Sequence, residues 1–74
     1  MVHWVQQSLR KYRLEKKYSQ EYMASQLNLS QTSYGRIENG KTPLTIEMLE
    51  KILVILEFDL IVFLNKAKEY KELY

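Results

Sequence analysis

The 74-residue sequence predicts an all-α domain, a compact arrangement of five short helices. Apolar residues recur at intervals of three and four, which is the spacing of one helix face. Side chains that cap helix N-termini stand before four of these stretches. Two glycines and one proline are too few for the turns of a small β-barrel. We expect one domain over residues 1–74, with a core at about 5–64 and a helical tail at about 65–74.

The first predicted helix covers about residues 2–16. Its apolar side chains recur at spacings of four and three, as Val5, Leu9 and Tyr12 show. The chain is expected to leave this helix at Lys17 and the residue after it. A new helix therefore begins close to residue 20.

The second and third helices are predicted with a short turn between them. Ser19 is expected to cap a helix over about residues 20–27, because its side-chain oxygen can accept hydrogen bonds from the first turn. Ser30 stands in the same position before a helix over about residues 31–39. Asn28 tolerates a left-handed backbone conformation, so the two helices are predicted to form a sharp helix-turn-helix.

The C-terminal half predicts two further helices. Thr45 is expected to cap the fourth helix, and Asp59 to cap the fifth, which begins at Leu60. Residues 58–64 are also rich in β-branched and aromatic residues, which is typical of a strand. We favour the helix, since a lone strand would need a second copy of the chain as its partner. The fourth helix carries residues at core spacing: Ile46, Leu49, Ile52, Leu53 and Leu56.

The composition makes several classes of function improbable. The absence of cysteine removes disulfide scaffolds, thiolate nucleophiles and Cys-ligated metal sites. His3 is the only histidine, so a His-based metal site or a Ser/His triad would depend on a residue near the N-terminus. The acidic residues show no paired arrangement for acid–base catalysis. We therefore expect no enzyme, no cofactor and no metal.

The apolar runs and the charge distribution bear on location and partners. The longest apolar runs have five residues, far short of the roughly 20 that span a bilayer, and no secretory signal is visible, so a cytoplasmic location is expected. Residues 1–41 hold seven basic and three acidic side chains, a net charge of +4. Residues 42–74 hold four basic and six acidic side chains, a net charge of −2. Either the basic half has an anionic partner or these charges are ordinary solvated surface.

The predicted third helix has an outer face of small and polar side chains with one long cation. Tyr34 and Ile37 are three residues apart and can face the core. The outer face suits a helix in the DNA major groove, where Gln pairs with adenine, Arg pairs with guanine and the Thr methyl group contacts thymine. A solvated polar face is the other interpretation. The outer face consists of Gln31, Thr32, Gly35 and Arg36.

Several short motifs follow one another along the chain. They are Leu9-Arg10-Lys11-Tyr12-Arg13, Ser19-Gln20-Glu21, Ala24, Leu29-Ser30-Gln31 and Arg36-Ile37-Glu38-Asn39-Gly40-Lys41-Thr42. In this order and spacing they resemble the phage repressor and Cro-type (XRE-like) helix-turn-helix family. The resemblance covers about residues 5–64. It implies a sequence-specific regulator of transcription that binds double-stranded DNA, most simply a repressor. The alternative is an antitoxin-type module that binds a toxin and represses its own operon.

The resemblance also implies roles for individual residues. Gln31, Thr32 and Arg36 would face base edges, and Arg13 would form an ion pair with Glu38 between the first and third helices. Gln20 would contact a phosphate with its amide and the helix N-terminus. The full set of expected DNA-backbone contacts is Gln20, Ser33, Tyr34, Asn39, Lys41 and Thr42. For Gln20 the alternative is a polar residue that simply suits a helix N-terminus, and for Lys41 it is a solvated lysine in a loop.

This sequence departs from the family pattern at four positions, and one of them, Gly35, supplies no side chain for base contacts. The family usually has glycine where this chain has Lys17 and Asn28, so the exit of the first helix can shift. An aliphatic residue is usual at Tyr34, whose hydroxyl group is expected to reach the edge of the DNA. These departures affect the individual DNA contacts rather than the fold.

The fourth and fifth helices carry more apolar residues than one core-facing stripe requires. Some of these side chains are expected to be covered by a second copy, because repressors of this type commonly dimerise. Alternatively, the two helices bury each other's apolar residues. The candidates for a homodimer interface are Ile52, Val54, Ile55, Leu60, Ile61 and Val62.

Overall fold

The computed structural model describes residues 3–73, and five α-helices account for most of them. They are α1 (His3–Glu15), α2 (Gln20–Gln26), α3 (Gln31–Glu38), α4 (Ile46–Leu56) and α5 (Leu60–Leu73). Residues 3–73 contain no strand, so the all-α fold is confirmed and residues 58–64 do not form the alternative strand. The predicted start of the first helix at residue 2 and the end of the tail at residue 74 lie outside the described residues. No helix in the described part of the chain is both long and apolar enough to cross a bilayer.

Four helices begin directly after the capping residue that the sequence predicts. The side-chain oxygen of Ser19, Ser30 or Thr45 accepts a hydrogen bond from the backbone N–H three residues later. The Asp59 carboxylate accepts hydrogen bonds from the N–H groups two and three residues later. These bonds satisfy donors that the first turn of a helix cannot pair internally.

Left-handed backbone conformations end several of the helices. Lys17 has φ 62° and Asn28 has φ 57°, so each adopts the conformation for which glycine is the usual residue. The first helix ends at Glu15, one residue earlier than predicted, and Lys17 makes the turn that follows. Glu57 does the same after α4, with φ 60°.

The five helices bury one common core. The α1 helix packs against α3 and α5, and α2 packs against α3 and α4. Ile46, predicted at core spacing, is exposed in the first turn of α4, whereas Leu44 in the preceding loop is buried. The buried apolar side chains are Val5, Leu9, Met23, Ala24, Tyr34, Ile37, Leu44, Leu49, Ile52, Leu53, Leu56, Phe63 and Ala67.

The structure separates the candidate dimer-interface residues into three groups. Ile52 is fully buried in the core-facing side of α4, so its predicted place in a dimer interface is wrong. Ile55 and Leu60 are half-buried against the core. Val54, Ile61 and Val62 are exposed, with Val54 at 76% and Ile61 at 64%.

Candidate nucleic-acid interface

The α3 helix has one face in the core and the other in solvent. Tyr34, Ile37 and Glu38 are buried, and residues 31–33 are exposed together with Arg36. The exposed side forms an open concave area, called here the α3 surface. It is lined by Gln20, Gln31, Thr32, Gly35, Arg36, Asn39 and Lys41. The structure thus brings together the three base-contacting candidates and three of the DNA-backbone candidates.

A tight turn fixes the angle between α2 and α3. Ala24 is buried where the two helices approach, and its carbonyl accepts a 2.9 Å hydrogen bond from the Leu29 N–H. Asn28, with its left-handed backbone, reverses the chain between them. A larger side chain at Ala24 would separate the helices and tilt α3 away from this position.

The loop after α3 is held to the end of that helix. The Arg36 carbonyl accepts hydrogen bonds from the Lys41 N–H at 2.8 Å and the Thr42 N–H at 3.1 Å. Gly40 allows this sharp turn, with φ 81°. Lys41 therefore stands at the edge of the α3 surface, whereas Thr42 is half-buried and does not line that surface.

Gln6 is a buried residue of this region whose contribution the sequence did not reveal. Its Nε2 donates a 2.6 Å hydrogen bond to the Ile37 carbonyl, 31 residues away. Its carboxamide also lies beside Gly40. Gln6 thus joins α1 to the end of α3 and to the loop that carries Lys41. The sequence offered one indication of this role: Gln6 directly follows Val5, a residue predicted on the core-facing side of α1.

An ion pair between Arg13 and Glu38 joins α1 to α3, as the family resemblance implies. Arg13 Nε donates to Glu38 Oε2 at 2.9 Å, and Arg13 Nη2 donates to Glu38 Oε1 at 2.8 Å. Both side chains are buried, with exposed fractions of 8% and 1%. Arg13 Nη1 also donates to the Tyr18 carbonyl at 2.8 Å, and Gln20 Nε2 donates to Glu38 Oε1 at 3.4 Å. One guanidinium therefore ties α3 to the chain segment that leads into α2.

The ion pair stabilises the charged form of both partners. Burial alone would raise the pKa of the Glu38 carboxyl, but the hydrogen bonds and the positive charge of Arg13 outweigh it, so this pKa lies below its ordinary value. The hydrogen bond to Glu38 raises the pKa of the Arg13 guanidinium, although burial opposes the increase. Each charge is therefore kept in the core by the other.

Tyr34 does not have the exposed position that a DNA contact requires. Its side chain is fully buried, and burial raises the pKa of its hydroxyl group. The hydroxyl lies near Arg13 and Glu38, and no described residue forms a hydrogen bond of standard geometry with it. The expected contact between Tyr34 and DNA is therefore wrong, because the ring fills the core where an aliphatic residue is usual.

The fold and this surface define a helix-turn-helix DNA-binding domain. A family model described as Helix-turn-helix matches residues 9–63, which is most of the chain. The protein belongs to this family, the XRE-type helix-turn-helix regulators of transcription that include the Cro-like proteins. Comparison with curated proteins and with solved structures gave no match.

The buried ion pair predicts unequal effects of single and double substitution. Arg13→Met should lower the free energy of unfolding by about 3–5 kcal/mol, because it leaves the Glu38 carboxylate buried without a countercharge. Arg13→Met combined with Glu38→Leu should recover most of that loss, since an apolar pair needs no countercharge. Urea denaturation measures both values.

The exposed pair between Lys16 and Glu57 supplies a matched control. Lys16→Met should lower the free energy of unfolding by at most about 1 kcal/mol, because solvent screens that pair. A double variant at Arg13 and Glu38 that is no more stable than Arg13→Met would show that the unpaired Glu38 carboxylate does not cause the loss of stability.

The lowered pKa of Glu38 predicts a loss of stability in acid. The folded state favours the carboxylate, so this contribution is fully present above the ordinary pKa of 4.5 and disappears as the pH falls through the lower folded value. Urea denaturation across this range should show the difference in free energy of unfolding between the native chain and Glu38→Gln shrinking as the pH falls. If this difference does not change with pH, the carboxylate form of Glu38 does not stabilise the folded state.

Proposed function

We propose that this domain is a repressor that binds a specific operator by placing α3 in the major groove of double-stranded DNA. The observation that supports this proposal is the α3 surface. Gln31, Thr32 and Arg36 stand side by side on the solvent face of a helix whose other face is fixed in the core. Repression is the simplest regulation for such a surface, since occupying promoter DNA requires no contact beyond the DNA itself.

Each base-contacting candidate has chemistry that distinguishes base pairs. The Arg36 guanidinium can donate two hydrogen bonds to O6 and N7 of guanine, and the Gln31 carboxamide can pair with adenine. The Thr32 methyl group can pack against the methyl group of thymine. Within residues 3–73 no hydrogen bond or ion pair engages these three side chains, so they are available to a ligand.

Polar residues around α3 are proposed to contact the phosphates on either side of the groove. Gln20 and Asn39 both line the α3 surface, and Lys41 adds a positive charge at its edge. The Ser33 hydroxyl accepts a 2.9 Å hydrogen bond from Ser30, which leaves its own proton for an outside acceptor. Thr42 is the weakest candidate because it is half-buried.

We further propose that the protein binds DNA as a homodimer through exposed residues of α4 and α5. Val54, Ile61 and Val62 expose apolar side chains to solvent, and a second copy would cover them. A two-fold dimer binds two half-sites about one helical turn apart. The spacing of half-sites in bound DNA therefore tests this proposal, and a single isolated half-site would contradict it.

Two alanine substitutions should separate base contacts from phosphate contacts. Arg36→Ala should weaken binding to the preferred duplex by roughly 1–3 kcal/mol and relax the preference at one base pair. Lys41→Ala should weaken binding to every sequence alike and reduce the slope of log affinity against log salt by about one. Titration of labelled duplexes at several salt concentrations measures both effects.

Lys51→Ala is the control for the loss of one positive charge. Lys51 is exposed on α4, outside the α3 surface, and pairs with Glu47 one turn away. Its substitution should leave both base preference and salt slope close to those of the native chain. An unchanged base preference in Arg36→Ala would show that α3 does not lie in the groove as proposed.

A further inference from the structure

Gly35 lies in the middle of α3, and the space beside it is occupied by a side chain from α2. An alanine Cβ at this position would lie 3.3 Å from Gln20 Oε1, 3.8 Å from Cδ and 3.9 Å from Nε2. The whole carboxamide of Gln20 therefore packs against the α3 backbone. Glycine destabilises a helix interior relative to alanine. Gly35 therefore makes α3 less stable, but it allows the carboxamide of Gln20 to approach the helix closely.

Glu38 determines which end of the Gln20 carboxamide points into the protein. Gln20 Nε2 donates to Glu38 Oε1 at 3.4 Å, and the same oxygen accepts from Arg13. A carboxylate only accepts hydrogen bonds, so it favours the nitrogen of the carboxamide over the oxygen. Nε2 carries two protons, and one of them remains for an acceptor outside the domain.

We propose that Gly35 is a positioning residue for DNA binding. Its missing side chain lets the Gln20 carboxamide lie on α3, where Glu38 orients it and its remaining Nε2 proton is donated to a DNA phosphate. This inference rests on the proposed function, which supplies the DNA. The contact carries no base information, so it affects all sequences alike.

The test is a double-mutant cycle of Gly35→Ala with Gln20→Ala, measured by titration with the preferred duplex. Gly35→Ala should weaken binding roughly fivefold to tenfold in the native background, because the added Cβ shifts the carboxamide and weakens its hydrogen bond to the phosphate without abolishing it. In the Gln20→Ala background, Gly35→Ala should change affinity less than about twofold, since that contact is already lost. Urea denaturation should show that Gly35→Ala folds at least as stably as the native chain.

Gln26→Ala is the matched control, because Gln26 is an exposed glutamine at the other end of α2. The effect of Gly35→Ala should persist in full in that background. An equal loss in the native and Gln20→Ala backgrounds would overturn the inference and show that α3 itself needs the glycine to approach DNA. No loss in the native background would also overturn it. A native chain that binds no duplex would overturn the proposed function, and the phosphate contact with it.

Discussion

The buried ion pair between Arg13 and Glu38 is the contact on which the position of α3 depends. Two charges in a core are costly unless each is paired and hydrogen-bonded. Here the guanidinium meets both carboxylate oxygens and the Tyr18 carbonyl, which leaves few other arrangements of α1, α2 and α3 that satisfy the same groups. The orientation of the solvent-facing side of α3 is therefore set from its buried side.

The two helices of the helix-turn-helix are too short to be stable alone. The α2 helix has seven residues and α3 has eight, whereas isolated helices shorter than about 12 residues are marginal in water. Capping by Ser19 and Ser30 satisfies donors at their N-termini, and burial of Met23, Ala24 and Ile37 supplies the packing. The rest of the fold thus acts as a scaffold that holds α3 in place and leaves its outer face for a ligand.

Local features of the sequence predicted the fold well, because they act over a few residues. The capping side chains at Ser19, Ser30, Thr45 and Asp59 fix where four helices begin. Spacing along α3 also placed Gln31, Thr32 and Arg36 together on its outer face. That grouping needs only the helical repeat and one buried side, which Tyr34 and Ile37 define.

Features that depend on packing between helices were not predictable in the same way. The helical repeat in α4 predicts Ile52 on the core side, but the apolar run does not reveal that Ile55 is half-buried while Val54 is exposed, since that depends on which neighbours cover the helix. The buried position of the Tyr34 hydroxyl and the hydrogen bond from Gln6 to the Ile37 carbonyl likewise require the partner segments in place. The contact between Gln20 in α2 and Gly35 in α3 also depends on how two helices pack, so the sequence alone did not predict it.

The most direct test of whether α3 contacts base edges is selection of bound sequences from a random duplex library by the purified protein at near-physiological salt. We expect enrichment of an inverted repeat whose half-sites lie about 10 bp apart, because two copies of α3 would enter successive turns of the major groove. Salt-sensitive binding without any enriched motif would contradict this expectation. That result would mean that the basic half of the chain binds phosphates while α3 contacts no bases.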